Sequence, residues 1–121
     1  MNRIFLWFGV MNGICNNCVT FAIAKTRDEA KSLILAEFEK KLNGEVTHPS
    51  IIVCIKQADY EQMMDRMNYI LSSNEDEDPS VTKTRKNKIL LDTLTMNLDD
   101  KIPLEIDLAF AAAISDFIFS R

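Results

Sequence analysis

Cys15 and Cys18, in the stretch "NGICNNCVTF", have the C-x-x-C spacing of a redox dithiol or of half a metal site. A reactive dithiol needs a stabilised thiolate, commonly at a helix N-terminus. Here Cys18 runs directly into Val-Thr-Phe-Ala-Ile, a strand-like sequence with no helix start. A zinc site would need further ligands, and His48 and Cys54 complete a set of three thiolates and one imidazole. The two halves have no familiar metal-site spacing, and Cys54 lies in an apolar run from Ile51 to Ile55. The plainer reading is of cysteines buried as small hydrophobes or lying in a loop. No metal and no cofactor are assigned on this basis.

His48 is the only histidine, and Pro49 and Ser50 follow it. An imidazole titrates near neutrality and serves well as a general base. Asp99, Asp100, Glu105 and Asp107 are close in sequence, and carboxylates bind Mg²⁺ or move protons. These residues define one alternative, a small hydrolase-like enzyme using His48 and the carboxylates near residue 100. Each also suits an ordinary place: Asp99 and Asp100 a turn, Glu105 the first turn of a helix, Ser50 the start of a strand. No glycine-rich phosphate pattern of the form G-x-G-x-x-G or G-x-x-x-x-G-K-[ST] accompanies them. The balance is against an enzyme, and no catalytic residue is assigned.

Charge is the more conspicuous signal. Glu75, Asp76, Glu77 and Asp78 form an acidic block, and Lys83, Arg85, Lys86 and Lys88 a basic one. With few large apolar residues between them, residues 73–87 read as a mobile surface loop. The eight charged side chains are the candidate partner-binding residues, steering a protein partner electrostatically. The bland alternative is a solvated loop whose charges balance. The basic block is small and carries no interleaved aromatics, so nucleic acid is an unfavoured partner. Met63, Met64 and Met67 could present an adaptable binding surface, but filling an irregular core is the simpler role.

The elements that position these residues follow from periodicity. "RIFLWFGV", residues 3–10, lacks clean alternation, as a strand covered on both faces does. Residues 18–24 make a second strand, and Gly13 with its neighbouring asparagines suits a hairpin turn that would carry Cys15. Thr26 with Glu29 three residues on is a capping box, and Ala30, Leu33, Ile34, Phe38 and Leu42 follow at helical spacing until Asn43 and Gly44. A third strand runs through residues 51–55. Asp59 with Gln62 opens a second helix carrying Met63, Met64, Met67, Ile70 and Leu71. "KILLDTLTMNL", 88–98, reads as a fourth strand, and Asp99, Asp100 and Pro103 introduce a last helix through Phe119.

A chain of 121 residues, 47% hydrophobic, suits one domain spanning 1–121 with a core large enough to need no disulfides. Three cysteines, an odd number, also fit a secreted disulfide framework poorly. The apolar run near the N-terminus is short and has no evident cleavage site, and that from Ile102 to Phe119 is too charged for a membrane span. The formal charge of −4 disfavours broad nucleic-acid binding. The expectation is a cytoplasmic α+β protein without membrane contact. Its architecture is a two-layer or partly three-layer sandwich, with a mixed sheet of about four strands and three helices in the order β-β-α-β-α-β-α. The functional expectation is a small noncatalytic macromolecule-binding or regulatory protein, of a size that fits an inhibitor encoded by a virus or mobile element. The other alternative is a structural homo-oligomer, with the last helix joining two copies in a homodimer.

Overall fold

The computed structural model describes residues 2–11, 14, 19–45, 53–55, 57–71 and 77–107. Strands β1 (Arg3–Phe8) and β2 (Val19–Ala24) form the expected antiparallel hairpin, in register from Arg3 opposite Ala24 to Phe8 opposite Val19. β3 (Val53–Ile55) pairs with β2, and β4 (Leu104–Asp107) pairs with β1, giving the strand order β3-β2-β1-β4. Every pairing is antiparallel, so the expected mixed sheet is corrected. Val53 lies opposite Ala22, so β3 starts at the end of the sheet where β2 finishes. The linkage from Asn43 to Val53 reaches up to about 33 Å when extended. That exceeds the roughly 24 Å rise of a 16-residue helix. The strand-helix-strand unit is therefore not bound to a parallel return.

Helix α1 (Arg27–Leu42) is built as its sequence dictates. The Thr26 hydroxyl accepts from the Glu29 backbone N–H at 3.2 Å, while Glu29 Oε2 reaches back to the Lys25 N–H at 3.4 Å. At the other end the Glu45 N–H donates to the Lys40 carbonyl and the Gly44 N–H to the Lys41 carbonyl, a Schellman closure. It requires a left-handed residue, and Gly44 supplies φ +76° without a Cβ penalty. Ala30, Ile34, Phe38 and Leu42 are the buried stripe.

Helix α2 (Gln57–Leu71) starts before Asp59, so that residue lies inside the helix and does not cap it. Met63 and Met67 are buried in the core, whereas Ile70 is exposed. Helix α3 (Pro79–Asp100) is the largest departure from expectation. The segment 88–98 is helix, not strand, and residues 79–87, expected in a mobile loop, are its first turns. The element order is β-β-α-β-α-α-β, not β-β-α-β-α-β-α. Asp99 and Asp100 end a helix, and Leu104–Asp107, expected in the last helix, are an edge strand. Residues 108–119 of that expected helix lie outside the described residues.

All three helices contribute to one core against a single face of the sheet. Phe5, Trp7, Ala22 and Ala24 meet Ile34 and Phe38 of α1, Met63 and Met67 of α2, and Leu90, Leu94 and Leu98 of α3. Polar contacts fasten the C-terminal end of α3. Arg27 Nη2 donates to the carbonyls of Leu98, Asp99 and Lys101 at 3.2, 2.8 and 3.1 Å. Trp7 Nε1 donates to the Lys101 carbonyl at 3.3 Å, and Asn97 Nδ2 to the Val10 carbonyl at 2.7 Å. A cation at the unsatisfied carbonyl end of a helix is favourably placed, and here it also offsets Asp99 and Asp100. Arg27→Ala is expected to lower stability by about 1–2 kcal/mol in denaturant unfolding, the range for partly exposed charge-assisted bonds. Arg66→Ala, at an exposed position of α2, serves as the reference, expected within about 0.5 kcal/mol of wild type. Equal losses in the two variants would contradict the clamp.

Candidate functional site

The charged segment becomes the start of α3, where its residues do local work first. Asp78 is the N-cap: its Oδ1 accepts from the Ser80 N–H at 2.8 Å and the Ser80 hydroxyl at 2.7 Å. Those hydrogen bonds, the side-chain one foremost, hold its pKa below the usual carboxylate value. Pro79 occupies the first helical turn, where its missing N–H is no loss. Glu77 Oε2 accepts from Arg85 Nη2 at 2.5 Å and from the Thr82 hydroxyl at 3.0 Å, folding the acidic end back along the helix. Lys86 reaches Asn68 Oδ1 on α2 at 3.2 Å, and Lys88 pairs with Asp92 at 3.0 Å, one turn on. Lys83 is exposed. Glu75 and Asp76 lie outside the described residues.

The structure therefore brings Glu77 and Arg85 together, while Asp78 caps the helix. Lys83 and Lys88 stay exposed, with exposed Val81 and Thr84 beside them on the same turns. Thr84 and Lys88 stand between two open depressions. One, of about 330 Å³, is lined by Ser80, Val81, Thr84, Arg85 and Lys88. The other, of about 320 Å³, lies between α1 and α3 and includes Glu39, Asn43, Asn87 and Asp92. Asn87 Oδ1 is buried there without a hydrogen-bond partner among the described residues. Val81, Lys83, Thr84 and Lys88 thus form an exposed ridge, with Lys88 paired to Asp92.

The carboxylates near residue 100 fall on two elements. Asp99 is ion-paired with Lys31, and Asp107 lies 3.5 Å from Arg3. Asp99 and Asp100 are in the last turn of α3, Glu105 and Asp107 on β4. Cys15, Cys18 and His48 lie outside the described residues, and Cys54 is placed on β3. Among the described residues no three His, Cys, Asp or Glu side chains cluster as metal ligands do. No helix among the described residues is long and apolar enough to cross a membrane.

Sequence reasoning read β1 as covered on both faces but did not show how far the second face of the sheet extends. Pairing places Ile4, Leu6 and Phe8 of β1 beside Val19, Phe21 and Ile23 of β2, and Leu104 and Ile106 of β4 beside Leu6 and Ile4. All are apolar. The signal was the unbroken apolar run of β1, but its breadth emerges only when three strands are aligned. No family model, no curated protein and no solved structure matches this chain.

Proposed function

We propose that this chain is a small noncatalytic, regulatory protein-binding module that engages an acidic protein surface through the first turns of α3. The observation that carries the reading is the exposed ridge of Lys83, Thr84 and Lys88, with Val81 at its side. Exposed cations raise encounter rates and select acidic partners, while an apolar side chain between them adds contact area. Glu77 is engaged by Arg85, Asp78 by the helix start and Lys88 by Asp92 one turn on, so Lys83 is the cation of the ridge without an ion pair among the described residues. Nucleic acid is the weaker match, since the ridge has few cations and no exposed aromatic platform among Ser80 to Lys88.

The test is affinity capture from cells that produce the protein, at low and raised salt. Wild type is compared with Lys83→Glu/Lys88→Glu and with Lys25→Glu, a charge reversal away from α3. The expected result is a stoichiometric protein recovered by wild type and by Lys25→Glu, weakened by salt, and bound about tenfold or more less tightly by the double variant. A partner held equally by all three at both salt levels would remove the ridge from the interface.

A further inference from the structure

We draw no further inference here: the strongest candidate, the apolar second face of the sheet, with Ile4, Leu6 and Phe21 buried and Phe8 and Leu104 half-exposed, carries nothing because no described residue shows what covers it.

Discussion

Trp7→Ala will lower the unfolding free energy by about 3–5 kcal/mol, the range for truncating a large buried aromatic. Only 1% of Trp7 is exposed, in the core that all three helices share. Its indole N–H also donates to the Lys101 carbonyl, next to the Arg27 contacts that close α3, so the substitution opens a cavity and loosens a helix end together. A domain of this kind holds about 5–15 kcal/mol in total, so the variant should unfold at far lower denaturant. Because Trp7 is the sole tryptophan, the transition must be followed by far-ultraviolet circular dichroism. Phe8→Ala, one residue on and half-exposed, should cost much less. A Trp7→Ala loss below about 1 kcal/mol would mean that the hairpin is not packed on the helices as described.

Leu94→Ala and Met96→Ala will separate cleanly. On a strand, residues two apart share a face, and the two truncations should cost similar amounts. On α3 they point roughly 200° apart. Leu94 is buried with Leu90 and Leu98, whereas Met96 is largely exposed. Leu94→Ala is expected to destabilise by about 2–5 kcal/mol. Met96→Ala should stay within about 0.5 kcal/mol of wild type. Comparable losses at both positions would restore the strand reading of 88–98 and undo the helical layer.

That misreading has an identifiable source. Leu90, Leu94 and Leu98 recur at four-residue spacing, and Asp78-Pro79 is a cap followed by a first-turn proline. Both signals were in the chain. They were masked because "KILLDTLTMNL" also holds the consecutive apolar residues Ile89, Leu90 and Leu91, and because a dense run of charge resembles a solvated loop. In the structure Ile89 and Leu91 flank the buried stripe and are only partly covered. The acidic and basic residues meanwhile pair along the helix, as Glu77 does with Arg85 and Lys88 with Asp92. The expected loop is helix from Pro79 onward, and its internal pairing could not be inferred before the helix was known.

Features under local chemical control were legible in the chain. Thr26, Glu29, Asn43 and Gly44 specify both ends of α1, because capping and left-handed closure involve only residues a few positions apart. The doubly covered character of β1 was equally legible, since a strand with solvent on one face does not carry Ile-Phe-Leu-Trp in succession. Tertiary structure alone decided where distant segments meet. Leu104–Asp107 is a strand because β1 offers an open edge to pair with, which outweighs the helical suggestion of Glu105. The antiparallel placement of β3 depended on the path available from α1. The wholly apolar second face exists only once β4 is set against β1, because neither the four residues of β4 nor the six of β1 encode their mutual register.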